Sequence, residues 1–408
     1  PPIATAQMTP QPSPASAPSV VSEATELLRY YPDVDTPRSW RVLHVINGEH
    51  FAGAERVQDL LGLRLPDHGF DVGFVALKAG RFGDVRESIN TPLAEVSMAS
   101  RWDLRSVRFV TRMLRDGDYH LLHAHTPRSA LIASLASRAT GVPMVYHVHS
   151  PTSRDSTHRI RNWVNDRVER FAIRSAAKLI TVSPTLTEHM HSVGVASERM
   201  QCVLNGVPAI AGAQPRCQPT DAWTVGMVAL FRPRKGAEVL IESLAALRAR
   251  GHNLRLRMIG SFESEAYEQQ LIGLARRLEV LDAIDWTGFT NDVASELAKI
   301  DLLALPSLFG EGLPMVVLEA MAAALPVVAT HCEGVSQAVL DGKTGRLVEP
   351  GSVGGMAAAI EEIVTGAYDY EQLSHAALNR HAEAFSDDTM ARQVAEAYRD
   401  VLGGEAPA

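Results

Sequence analysis

From Trp40 onward the chain alternates short apolar runs with longer segments of mixed polarity. Arg41-Val-Leu-His-Val-Ile46, Val72-Gly-Phe-Val-Ala-Leu77, His120-Leu-Leu-His123, Pro143-Met-Val-Tyr-His147, Lys178-Leu-Ile-Thr-Val182 and Gln201-Cys-Val-Leu204 all have strand length. Their near-continuous apolar character fits strands covered on both faces. Helical patterns lie between most of them, and such alternation predicts a parallel sheet with crossover helices. Ile210 to Asp221 loses periodicity, carries two prolines and reads as a linker. A second alternation follows, with strands expected at Thr224 to Leu230, Leu254 to Ile259, Ile284 to Thr287, Leu302 to Leu305, Pro326 to Ala329 and Arg346 to Val348. A last helix is expected from Asp387 to Leu402, after a break near Ser386. The pattern therefore divides into α/β domains at 39–212 and 213–384, with a C-terminal segment at 385–408.

Composition narrows the class. A chain of 408 residues is too long for one core and suits two domains. Hydrophobic residues make up 46% and charged residues 21%, with no apolar run of bilayer-spanning length, so a globular protein without a membrane span is expected. A net charge of −8 argues against a general nucleic-acid binder. Cys202, Cys217 and Cys332 are scattered, without metal-ligand spacing or a disulfide framework. A reducing cytoplasm fits best, and the N-terminus lacks the basic start and apolar stretch of a secretory signal. Residues 1–38 are rich in Pro, Ala and Ser and read as a disordered tail. The Asp-x-Asp pair Asp33 and Asp35 sits between prolines in that tail, outside either domain, and is not expected to hold a metal.

Two segments carry candidate chemistry. In Ser307-Leu-Phe-Gly-Glu-Gly-Leu-Pro-Met-Val-Val-Leu-Glu-Ala-Met-Ala322, Glu311 and Glu319 stand eight positions apart around a strand-to-helix turn. Pro314 suits a helix start, while Gly312 and Leu313 keep free amides near the positive end of the helix dipole, an arrangement suited to phosphate. Eight residues at helical rise span roughly 12 Å, which lets the two carboxylates hold opposite ends of an extended ligand such as a nucleotide diphosphate sugar. In Phe231-Arg-Pro-Arg-Lys-Gly236 three cations meet another strand-to-helix turn, either a solvated basic turn or a site for a diphosphate leaving group.

The first segment resembles the Glu-x7-Glu signature of the retaining glycosyltransferases of family 4, which use the GT-B fold of two Rossmann-like domains facing a cleft. The resemblance covers about residues 40–400. It implies that Glu311 meets the sugar or adjacent phosphate, that Glu319 meets the ribose, and that Lys235 stabilises the departing diphosphate. The amides at Gly312 and Leu313 would share that task. The family often has an arginine five or six residues before the lysine; Leu230 and Ala229 stand there, and Arg232 is the candidate replacement. The aromatic residue of the family's Glu-Gly-Phe-Gly-Leu-Pro form is also missing from Gly310-Glu-Gly-Leu-Pro314. Gly48-Glu-His-Phe-Ala-Gly-Ala-Glu55 resembles the family's Gly-Gly-Ala-Glu turn, with Ala52 in place of one glycine and Gly53 positioned for close backbone approach to the donor. Thr181-Val-Ser183 and Asn205-Gly-Val207 resemble stretches at the end of the family's first domain. Gly288-Phe289-Thr290 falls where the family holds the nucleotide base.

His123-Ala-His125 and His147-Val-His149 at successive strand ends allow metal ligation, packing, or donor contact. No converging third ligand is evident from the sequence. The resemblance assigns His149 to the donor sugar. The segment from Arg154 to Lys178 carries seven cations against Asp155, Asp166 and Glu169, and the apolar face of its expected helix leaves a basic face opposite. It is either solvated or a peripheral contact for a lipid-linked acceptor at the inner membrane face.

The expectation is thus a metal-independent retaining glycosyltransferase without a cofactor. It would move sugar from a nucleotide diphosphate donor to a glycan, lipid-linked or small-molecule acceptor. The competing readings are a non-catalytic nucleotide-sugar binder and a nucleotide-sugar 2-epimerase.

Overall fold

The computed structural model describes residues 39–49, 51, 53–96, 98, 103, 105–149 and 159–404, apart from the side chains of 159–166. The expected tail, Asp33, Asp35, Ala52 and residues 150–158 lie outside the described residues. Strands β1 (Trp40–Ile46), β2 (Phe70–Ala76), β3 (Leu93–Glu95), β4 (Leu121–Ala124), β5 (Met144–Val148), β6 (Lys178–Thr181) and β7 (Met200–Cys202) form one parallel sheet, ordered β3-β2-β1-β4-β5-β6-β7. Strands β8 (Trp223–Val228), β9 (Leu254–Ile259), β10 (Ile284–Gly288), β11 (Leu302–Leu305), β12 (Val327–Thr330) and β13 (Gly345–Val348) form a second, ordered β10-β9-β8-β11-β12-β13. Every pairing is parallel, and the central strands are buried along their length, which explains their continuous apolar runs.

Both sheets reverse their strand order at the first strand of the domain: β1 has β2 on one side and β4 on the other, and β8 has β9 and β11. Connections diverge there, leaving a crevice beyond the carboxyl ends of the strands. Gly48, His125 and His149 follow β1, β4 and β5, while Arg232 to Lys235 and Ser307 to Glu311 follow β8 and β11. β3 was missed because three residues carry too little periodicity to register.

The described residues form one compact unit. One apolar cluster joins first-sheet residues such as Val45, Leu122 and Val145 to Val317 and Leu318 of the helix Met315–Ala322, and to Val394 and Tyr398 of the helix Asp387–Leu402. That last helix is capped by the Ser386 side chain, which accepts the Thr389 amide at 3.1 Å. It lies on the first domain, where Arg64 donates to Asp387 at 2.7 Å, Lys178 pairs with Asp400, and Arg399 donates to the His68 carbonyl at 2.7 Å. The linker is held by Arg216, which donates to the carbonyls of Ala323, Ile300 and Leu297 at 2.9, 2.8 and 3.1 Å. Of these, the Leu297 carbonyl ends the helix Val293–Leu297 and the Ala323 carbonyl caps the helix Met315–Ala322, groups a helix leaves without an internal partner.

Candidate active site

The strand-to-helix turn after β11 differs from its expected form in one respect. The helix runs Met315–Ala322 with Pro314 as its N-cap in extended conformation, so Glu311 precedes the helix and its separation from Glu319 is not a helical one. Pro314 still terminates the loop, because its ring fixes φ and it has no amide to satisfy. The expected free amides of Gly312 and Leu313 make no hydrogen bond among the described residues. The amides of Gly310 and Glu311, in contrast, both donate to Glu333 Oε2 at 3.0 Å. The carboxylate of Glu333, which follows β12, thereby fixes the loop.

Glu311 is buried, and its Oε1 accepts from Lys235 Nζ at 2.5 Å and from Ser307 Oγ at 2.6 Å. Arg234 Nη1 stands 3.9 Å from the same oxygen and donates to the carbonyls of Phe309 and Gly310 at 3.3 and 2.8 Å. Burial pushes the Glu311 carboxyl up, but the charges of Lys235 and Arg234 and the bonds from Lys235 and Ser307 outweigh it, leaving the group below its ordinary range. Burial also draws the Lys235 ammonium down, against the pull of Glu311 and with help from the like charges of Arg234 and Arg232.

Lys235 reaches Glu311 because the turn at Gly236 is left-handed, with φ of +68°, and a Cβ there would fall 2.1 Å from the Pro306 carbonyl oxygen. Only glycine allows that contact. Arg232, the expected replacement for the missing upstream arginine, lies 3.7 Å from Glu263. The guanidinium nearest Glu311 is that of Arg234, because the turn at Pro233–Lys235 aims residues 232 and 234 differently. Neighbouring cations cannot be ranked from sequence, since a turn of unknown dihedrals decides their directions.

The two domains meet at this loop. A Cβ on Gly312 would fall 1.9 Å from the His149 carbonyl oxygen. Asn205 Nδ2 donates to the Leu313 carbonyl at 2.7 Å, and Thr185 Oγ1 reaches the Glu333 carbonyl at 3.4 Å. Gly53 opens the helix Gly53–Arg64, and a Cβ there would meet only Met315, at 3.6 Å. Glu319 is half-buried, and its carboxylate makes no hydrogen bond or ion pair among the described residues. Burial raises its carboxyl above the ordinary range, with Arg56 opposing and Glu87 reinforcing the rise. At the far edge of the cleft Phe289 is exposed, and the Arg81 guanidinium lies 4.2 Å from its ring centroid.

Behind His149 lies a cluster that strand periodicity could not reveal. His125 Nδ1 is 3.1 Å from His149 Nε2, and His125 Nε2 is 3.2 Å from His44 Nδ1. Tyr398 Oη lies 2.5 Å from His123 Nδ1 and 3.1 Å from His44 Nε2. A third imidazole, not evident from the sequence, therefore converges on the pair His147 and His149. It comes from β4, the parallel neighbour of β5. Burial depresses His44 to about 3 and His149 to about 4. It holds His123, His125 and His147 well below the usual range, with neighbouring imidazoles adding to the effect, so the cluster is neutral at pH 7.

Residues 214–380 match the family Glycosyl transferases group 1, and residues 51–209 match Glycosyltransferase Family 4. The chain belongs to the group 1 and family 4 glycosyltransferases. It is 28% identical over 264 residues to the phosphatidyl-myo-inositol mannosyltransferase of Mycobacterium leprae, spanning 62% of this chain and 66% of that protein. Against the glycogen synthase of Mycobacterium tuberculosis it is 27% identical over 299 residues, or 70% of each. The solved structure of Anabaena HepE with UDP and glucose superposes with a TM-score of 0.78 at 22% identity, covering 88% of this chain and 100% of that one. Sucrose-phosphate synthase from Thermosynechococcus elongatus gives 0.76 at 20% identity, covering 89% and 99%. With its two parallel-sheet domains, this glycosyltransferase has the GT-B fold.

Sequence reasoning did not single out Ser307, Arg234, Glu333 or His44. The first two lie inside the two motifs, whereas Glu333 and His44 reach their neighbours only through strand pairing and loop contacts. Among the described residues, no helix is long and apolar enough to cross a membrane.

Proposed function

We propose that this glycosyltransferase moves a sugar from a nucleotide diphosphate donor to its acceptor with retained anomeric configuration and without a required metal. The observation that carries the proposal is the Lys235, Glu311 and Ser307 cluster beyond β8 and β11, facing His149 across the cleft. Negative charge accumulates on the diphosphate as the glycosidic bond breaks, and prealigned cations and amides stabilise it most. Lys235, the amides of Gly312 and Leu313, and more distantly Arg232 fill that role, with Arg234 holding the loop that presents the amides. Glu311 binds the sugar or its adjacent phosphate, Glu319 the ribose, and His149 the sugar from the opposite domain. Phe289 borders the base, and Gly53 lets the first domain approach the donor. The departing phosphate oxygen, on the same face as the acceptor, helps deprotonate it, which gives retention. The acceptor is a glycan, a lipid-linked saccharide or a small molecule. Arg167 and Arg170, exposed on the helix Arg159–Ser175, offer peripheral contact with an anionic surface.

The relative HepE is solved with UDP and glucose, so UDP sugars head the test, followed by GDP and ADP sugars. Binding and slow hydrolysis are measured in EDTA, beside Glu311→Ala. One donor bound and hydrolysed by the parent alone supports the reading; absence of binding to every donor overturns it.

A further inference from the structure

The geometry points to a transition-metal site formed by His125, His147 and His149, which shares only His149 with the groups proposed to carry out transfer. His147 is on β5 and His149 directly follows it, two positions on, so the two rings come to the same side. Their rings stack at 4.4 Å between centroids with planes 23° apart. His125 joins them from the end of β4, with its Nδ1 3.1 Å from His149 Nε2. One ligand atom from each of the three lies within 4.8 Å of the others. Nitrogen atoms at about 2.0–2.1 Å from a tetrahedral metal stand about 3.3 Å apart, so ligation would draw the three rings together.

A second observation also points to a ligand. His147 is fully buried, and neither of its ring nitrogens has a hydrogen-bond partner among the described residues. Leaving a buried polar group unpaired is unfavourable, and ligation would remove that penalty for one nitrogen. The overlapping triad of His44, His123 and His125 is less suited, because His44 and His123 already hydrogen-bond to the Tyr398 hydroxyl. His149 is the half-buried member of the chosen triad, so its side of the site faces the cleft and leaves a fourth position for water. Three imidazoles suit Zn²⁺, Co²⁺, Ni²⁺ or Cu²⁺.

Occupation would draw His149 away from the donor sugar, making the metal an inhibitor; this consequence alone rests on the proposed function. The test uses the tag-free full chain, stripped with EDTA and titrated with Co²⁺. A visible ligand-field band that saturates at one equivalent and is bleached by one equivalent of Zn²⁺ is expected. His147→Phe keeps the ring stack but supplies no donor atom, and His125→Phe does the same from β4. Each is expected to weaken binding by more than the roughly 10–100-fold typical of losing an outer-shell partner. Zn²⁺ should slow donor hydrolysis by the parent and not by His147→Phe. The Co²⁺ spectrum needs neither donor nor turnover, so failure of the metal site and failure of the donor assignment are separate results. No band in the folded parent, or a band unchanged in both variants, overturns the inference.

Discussion

Lys235→Ala tests whether the cluster beyond β8 and β11 depends on charge balance. Lys235 Nζ lies 2.5 Å from Glu311 Oε1, and Arg234 Nη1 lies 3.9 Å from it. At an effective dielectric of about 20, these separations correspond to gross attractions of about 7 and about 4 kcal/mol. The substitution removes the larger and leaves Arg234 alone beside a buried carboxylate. The lysine's own desolvation is no longer incurred, so the expected net destabilisation at pH 7 is about 3 kcal/mol, as for other broken buried pairs.

The pH dependence follows from the sign of each shift. In the parent the Glu311 carboxyl is lowered, so its contribution to stability is present above the unfolded value of about 4.3 and lost as pH falls through the folded value. In the variant, desolvation, the largest influence, faces less opposition, and the carboxyl rises. Protonation then relieves the folded variant, and the gap between parent and variant narrows as pH falls from 7 toward 4.5. Urea titrations at several pH values read this gap, and Lys235→Ala/Glu311→Gln should recover most of the loss because no buried carboxylate is left without its lysine. Donor hydrolysis should fall about 10²–10³-fold, the usual cost of losing one donor to a developing anion. Equal stability of parent and variant at pH 7, or a gap that widens in acid, would refute the reasoning.

Glu319→Gln should weaken donor binding with less effect on turnover, giving a raised KM. Because burial elevates the parent's carboxyl, the parent should also lose stability relative to this variant as pH rises through that elevated value, which chemical denaturation at pH 5 and pH 8 would detect. Gly312→Ala places a Cβ 1.9 Å from the His149 carbonyl oxygen, so it should push the domains apart at the catalytic loop. Activity should drop by at least about 100-fold, the cost of an ångström-scale misplacement, while calorimetry still shows cooperative unfolding. Arg216→Ala removes three hydrogen bonds, to the carbonyls of Ala323, Ile300 and Leu297, and should destabilise the protein by about 2–3 kcal/mol with KM unchanged, read by urea unfolding and donor kinetics.

Much of the architecture was legible because buried parallel strands leave a one-dimensional trace. Continuous apolar runs marked β1 and β8, the loss of periodicity at Ile210 to Asp221 marked the linker, and Asp387–Leu402 was expected at the bounds the structure gives. Glu311, Glu319 and Lys235 stood out because their chemistry is concentrated in two short strand-to-helix segments, with Glu319 in the helix that follows the second. Sequence thus determined the order of elements, the side of each sheet on which chemistry collects, and the residues within each turn. It could not order the three cations of Phe231 to Gly236, because the left-handed turn at Gly236 and its contact with Pro306 decide that Arg234 and Lys235 face Glu311 while Arg232 turns to Glu263. Nor could it assemble His44, His123, His125, His147 and His149, which three strands carry and the Tyr398 hydroxyl of the last helix joins from the far end of the chain. Periodicity records which face a residue occupies within its own strand; strand order and domain contact decide what that face meets.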